Sequence, residues 1–254
     1  MEYFVQKESV VRKIWRKSDT ILFIFAGASA EFALNKAVDW LYFTGRLPAD
    51  PIGRLFSTVS YARQIVFAEK KAAEVAIDKI TAIHGDIESK RGVVIPDWAY
   101  RDVLFMLIHY SIASFEVLEH KLTLNEKEDV YHVFYRMGLR MNIANLPVTY
   151  EQWLPVREAH LEQDLQKTNY TIDLFKQYKK HLGPMRYKLL KEVQILVVPQ
   201  KVKKLLNFGR VSLLSFLVPF YKLSRQLKVD WLLKSIILPS SYKTQIKALD
   251  QEAN

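Results

Sequence analysis

Apolar residues recur along most of this chain at steps of three and four, the period of helices that bury one face. Val5, Val10, Val11, Ile14 and Trp15 mark an amphipathic lead-in over residues 1–17. Ser18 and Asp19 offer a helix cap or turn before the run 21–30, Ile-Leu-Phe-Ile-Phe-Ala-Gly-Ala-Ser-Ala. That run is apolar on every side and small-sided from Ala26 to Ala30, so it predicts a central helix on which a neighbour packs closely. The helical pattern continues over 31–43 with Phe32, Leu34, Ala37, Val38, Leu41 and Tyr42 inward, then breaks in a loop marked by Gly45, Pro48, Pro51 and Gly53.

Beyond the loop the spacing predicts helices over 54–67 and from Glu69 to about Ser89, joined with little or no break. A further helix carries Asp102 to His109, and others are expected over 126–142, with an N-cap at Asn125, and over 150–167. Segments 170–181 and 185–198 flank Gly183-Pro184, Pro199 opens a helix through Asn207, and 211–226 and 229–237 complete the packed part. The tail from 248 is expected to fray. Eight glycines and nine prolines cluster in a few places, unlike the closely spaced turns of an all-β chain. The expectation is one all-α domain over 1–254, of about ten helices around a buried pocket.

Within that pattern one stretch carries chemistry. Arg54 and Thr58 share a helical face at i,i+4 spacing, and Tyr61 follows one turn later. His84 lies on the stripe of Ala76, Ile80 and Ile87, so its imidazole is aimed into the protein. Such a histidine is either a hydrogen-bonded core residue or a ligand. His109, at helical spacing from Phe105 and Ile112, also points inward, as a core hydrogen-bonding group or an acid/base group. Tyr61, Phe56, Phe67, Phe105 and Phe115 could line a flat pocket, or be plain core.

Composition removes several classes. The chain has no cysteine, which excludes disulfides, thiolate nucleophiles, cysteine-ligated zinc, iron–sulfur clusters and thioether-attached haem; any metal or haem must be held by His, carboxylate, Tyr or Lys. A ferritin-like di-iron bundle needs two Glu-x-x-His elements, and only Asp129-x-x-His132 comes near. Zinc-peptidase, nucleotide-binding and serine-hydrolase motifs are absent. The formal charge of +10 is interleaved with acids through residue 193, so no nucleic-acid partner is expected. The excess gathers in Lys201, Lys203, Lys204, Arg210, Lys222, Arg225 and Lys228 among apolar residues, a composition that suits a packed helix pair or an anionic membrane surface. The N-terminus does not read as a secretory signal, and no apolar run reaches the ~20 residues of a span. The expected location is cytoplasmic, with membrane-peripheral association as the variant.

The order of elements resembles one family. Asp50-Pro-x-x-Arg-Leu-x-x-Thr58, an alanine-rich helix ending in Ile83-His84 26 residues after Thr58, and a helix with an apolar run before His109 are similar to the haem-dependent oxygenases that include the rubber oxygenases (latex-clearing proteins) and the fungal MpaB oxygenase. The likeness continues in the Tyr131 helix and in Leu146-Pro-Val-Thr149 followed by Trp153. It departs where many members carry Gln-x-x-His-Pro, here Leu34-Asn-Lys-Ala-Val38, and where the rubber oxygenases place a distal lysine, here Ser57; for their upstream glutamate base this chain offers Glu31 or Asp39 without a clear correspondence. Rubber cleavage is therefore not carried over.

The resemblance implies a haem-sized pocket, non-covalent haem b with His84 on iron, and Arg54, Thr58, Tyr61 and His109 beside it, Thr58 and His109 in catalytic roles. It implies oxidation of a small apolar or long-chain organic substrate with dioxygen or peroxide. Against this, Arg54 could pair with a core acid such as Glu31 or Asp39, and Thr58 could bond back to the preceding turn. The alternative reading of the whole is a haem-free helical binding or membrane-peripheral protein that kept the fold without the chemistry.

Overall fold

Eleven helices and no strand form among the described residues. The structure, a computed structural model, describes residues 2–45 and 49–226. Positions 46–48 of the expected loop, Lys228, the helix expected over 229–237, the tail from 248, and the side chains of Phe56 and Arg225 lie outside the described residues. The helices are α1 (Val10–Trp15), α2 (Ser18–Phe32), α3 (Val38–Phe43), α4 (Pro51–Phe67), α5 (Lys70–Arg91), α6 (Asp97–Leu118), α7 (Leu124–Arg140), α8 (Tyr150–Gln163), α9 (Asn169–Val197), α10 (Gln200–Leu206) and α11 (Leu214–Gln226).

The centre is the pair α2 and α6, the most extensively packed couple in the molecule, with α9 against them. The small residues of α2 explain this. A Cβ on Gly27 would stand 2.2 Å from Tyr110 Cδ1 and 2.9 Å from Val197 Cγ2, so only glycine admits both neighbours. Helix α2 is accordingly buried on nearly all sides, from Ser18 to Glu31. The pattern expected of a central helix is what the fold uses it for.

Side-chain caps decide where the helices begin. Asp50 accepts from Gly53 N at 2.9 Å and Pro51 opens α4, so this helix starts three residues earlier than its apolar pattern. Thr123, not Asn125, caps α7, in a capping box with Glu126. The helix expected over 31–43 is interrupted, because Asn35 turns its side chain back on the chain and accepts from Ala37 N at 2.8 Å. The segments around Gly183 form one long α9 with a kink at that residue, where φ is 73°.

Helices α4 and α5, separated by Ala68 and Glu69, form a hairpin. Lys79 Nζ lies over the Tyr61 ring at 6.0 Å, and the Arg54 charge acts on His84, the pairing order of antiparallel neighbours. Helix α5 ends at Gly92 in the left-handed conformation, φ 72°, and Pro96 leads into α6. No helix among the described residues is long and apolar enough to cross a membrane.

Candidate functional site

Three of the six histidines, each with charged groups around it, fall into three neighbourhoods. The first lies where α4, α5 and α6 meet. His84 is half-buried, its ring centroid 5.2 Å from that of Tyr100, and its Nδ1 is sealed from solvent with no hydrogen-bond partner. Burial, reinforced by the positive field of Arg54 and opposed by Glu88, lowers its basicity, so the ring is neutral at pH 7. Tyr100 donates its O–H to Glu88 Oε1 at 3.1 Å, which also accepts from Ile95 N at 2.8 Å; this holds the tyrosine against His84. Arg54 and Tyr61 are half-buried on the α4 face toward α5. Thr58 donates its hydroxyl to Arg54 O at 3.1 Å, the back-bond to the preceding turn, and Ser57 does the same at 2.9 Å.

The two acids considered as partners for Arg54 are engaged by other arginines. Glu31 is engaged by Arg157, and Asp39 pairs with Arg91 at 2.7 Å, whose guanidinium also lies 4.0 Å from the centroid of the Trp40 ring. Arg54 itself reaches Ser57 Oγ at 3.5 Å.

The second neighbourhood is a buried charge cluster in the core. Arg157 donates Nη1 to Glu31 Oε1 at 2.6 Å and Nη2 to Oε2 at 2.5 Å, and Tyr110 donates to Oε2 at 2.7 Å. Glu31 is 1% and Arg157 3% exposed. Burial alone would raise the Glu31 carboxyl, but Arg157 overcomes it and holds the pKa below its ordinary value. His109 sits here. Burial and the Arg157 charge, opposed by Glu31 and by a backbone hydrogen bond to Val197, push its pKa down to about 4, and its Nε2 has no partner.

His109 is therefore not brought to His84. Tyr100, the α6 residue against His84, lies nine positions earlier, about 13.5 Å along a helix and on its opposite side. Nor do Phe67, Phe105 and Phe115 converge on one flat pocket. Phe105 packs on Trp153 and His160 at centroid distances of 6.0 and 5.2 Å, Phe115 on His120 at 5.3 Å, and Phe67 against Arg12 and Arg63. Ten residues of α6 separate Phe105 from Phe115, about 15 Å of helix.

The third neighbourhood was not anticipated. Asp102 of α6, His160 of α8 and Asp164 just beyond it bring one ligating atom each within 4.8 Å of one another. His160 Nδ1 hydrogen-bonds Asp102 Oδ1, and Asp164 Oδ2 lies 3.4 Å from the same nitrogen. Asn35 donates Nδ2 to Asp102 Oδ2 at 2.5 Å. Burial and the neighbouring Asp102 charge, opposed by His160, raise the Asp164 pKa. One sequence signal pointed here: Trp153, Arg157, His160 and Leu161 share the buried stripe of α8, so two ionisable groups stood on an apolar face.

A helical domain that buries imidazoles, carboxylates and guanidinium groups between its helices is built as cofactor- and metal-holding helical proteins are. Residues 15–226 match the family described as ER-bound oxygenase mpaB/B'/Rubber oxygenase, catalytic domain, and the chain belongs to that family. It is thus an oxygenase-family catalytic domain, as the order of motifs implied. No curated protein matches the chain.

Proposed function

We propose that this protein is a haem b-dependent oxygenase acting on an apolar or long-chain organic substrate. The observation that supports this reading best is His84, a half-buried neutral imidazole with a sealed, unpartnered Nδ1 beside the charge of Arg54. A metal-bound imidazole must be neutral, and burial beside a guanidinium keeps it so. His84 would hold the iron and Arg54 would pair with a propionate, the group its planar fork suits. When bound, haem supplies the iron at which dioxygen or peroxide is activated. Tyr100, held by Glu88, fixes the His84 ring, and Tyr61 continues the α4 face one turn beyond Thr58. Thr58 positions the Arg54 turn, its hydroxyl proton being committed to the Arg54 carbonyl. With no cysteine in the chain a thioether link is excluded, and the haem would be held non-covalently.

The test is dioxygen uptake by haem-loaded and haem-free protein offered long-chain unsaturated hydrocarbons and fatty acids, with labelled dioxygen traced into product. Uptake and label incorporation that require haem are expected. A haem-saturated protein that transfers no oxygen from dioxygen or peroxide to any of these would overturn the assignment.

One observation favours the second reading, attachment to a membrane surface without haem chemistry. Phe216, Leu217, Phe220 and Leu223 form an exposed stripe on α11, with Val211 and Leu213 exposed just before it. Co-sedimentation of haem-free protein with anionic vesicles, lost in the Phe216→Ser/Phe220→Ser variant, is its expected result. No sedimentation at low salt would remove it.

A further inference from the structure

We infer that Asp102, His160 and Asp164 form a binding site for one divalent transition-metal ion, of which zinc is the best match, separate from the haem site proposed at His84. The three ligating atoms lie within 4.8 Å of one another, a spread that small side-chain rotations close onto a single ion. Two carboxylate oxygens and one imidazole nitrogen are a ligand set that zinc accepts, with a water in the open position.

The side chains are arranged for a cation rather than for a single hydrogen bond. Both carboxylates address the same nitrogen, His160 Nδ1, and one N–H cannot serve two acceptors well. Asp102 is 2% exposed and His160 8%, so the first carboxylate and the imidazole are committed away from water, and crowding a second carboxylate onto them is unfavourable without a positive charge between. Around them stands a supporting layer. Asn35 holds the far oxygen of Asp102 through Nδ2, and its own Oδ1 is fixed by Ala37 N at 2.8 Å, so the carboxylate cannot swing freely. The Phe105 ring, 5.2 Å away centroid to centroid, packs against the imidazole.

Asn35, which holds Asp102, also lines a neighbouring groove of about 520 Å³ together with Lys36, Asp39, Gln166, Thr168 and Asn169. Asp164 is the least buried of the three ligands, its side chain 16% exposed, and gives the ion its way in. The ion would tie α6 to the junction of two connections: Lys36 N donates to Asp164 O at 3.0 Å, Gln166 N to Leu34 O at 2.8 Å, and Asn35 bridges Leu165.

The inference does not rest on the haem reading, and its test uses haem-free protein. Chelator-stripped chain is titrated with zinc chloride by calorimetry, and melted with and without the ion. Saturation at one ion per chain and a raised Tm are expected. Asp164→Asn, at the edge of the cluster, should weaken binding by about tenfold or more while the apo protein still melts cooperatively, whereas Asp39→Asn, on the groove but outside the ligand set, should bind as the parent does. No saturable zinc uptake, or equal affinity in Asp164→Asn, would overturn the site and leave Asp102–His160 as a plain hydrogen-bonded pair.

Discussion

Glu31→Ala is expected to lower the stability of the haem-free chain by roughly 3–5 kcal/mol, because it strands Arg157 as an unpaired charge in the core. Arg157 is 3% exposed and donates both Nη groups to that one carboxylate, whereas Asp102 acts on it only through its charge. Tyr110 loses the acceptor of its O–H in the same step. Paired replacement by apolar residues, Glu31→Leu with Arg157→Met, should be far less damaging than either single change, since it removes both desolvation costs together. Urea denaturation of the parent, Glu31→Ala, the two single changes and the double change checks this. A single-variant loss of roughly 1 kcal/mol or less, the size of an exposed pair, would contradict the burial argument.

The same cluster makes the fold acid-sensitive. His109 is pushed down to about 4 in the folded chain, whereas an unfolded imidazole takes its proton near 6.5, so the unfolded state binds the extra proton between these values. Stability therefore falls as pH drops from about 6.5 to about 4, by about 3 kcal/mol from this residue alone. Glu31, lowered by Arg157, adds its loss at the acid end, as pH falls through its depressed pKa.

The second large effect belongs to His84. His84→Ala should weaken haem binding by more than the roughly 10–100-fold typical of losing an outer-shell partner, because it would remove the iron ligand itself. The haem-free fold should survive, since the ring is half-buried and its Nδ1 makes no hydrogen bond that the change could break. Equal urea midpoints for the haem-free parent and variant would separate loss of a ligand from loss of structure.

Much of the architecture was legible in the sequence. The all-sided apolar run with small residues from Ala26 to Ala30 identified α2 as central, and Gly27 shows why: Tyr110 and Val197 occupy the space a side chain would need. The inward aim of His84 followed from its spacing to Ala76 and Ile80, and the back-bond of Thr58 was one of two readings open from the start. Partner choice was not legible. Glu31 looked available to Arg54, yet its partner comes from α8, 126 residues away, and periodicity carries no information about which distant helix faces which. The same holds for Asp102 and His160, 58 positions apart. His109 shows a subtler limit, for a helical stripe places it inward but not on the same side of α6 as Tyr100. The segment Leu34 to Val38, notable at first only for departing from the family pattern, supplies Asn35 to the Asp102 cluster.

Absorption spectroscopy during haem titration of the parent and of His84→Ala decides whether this imidazole holds a haem. The parent should develop a shifted Soret band saturating at one haem per chain; the variant should not, and added imidazole should restore part of it. A Soret band of equal position and affinity in both proteins would contradict His84 as the ligand, and no shift in the parent would contradict haem binding altogether.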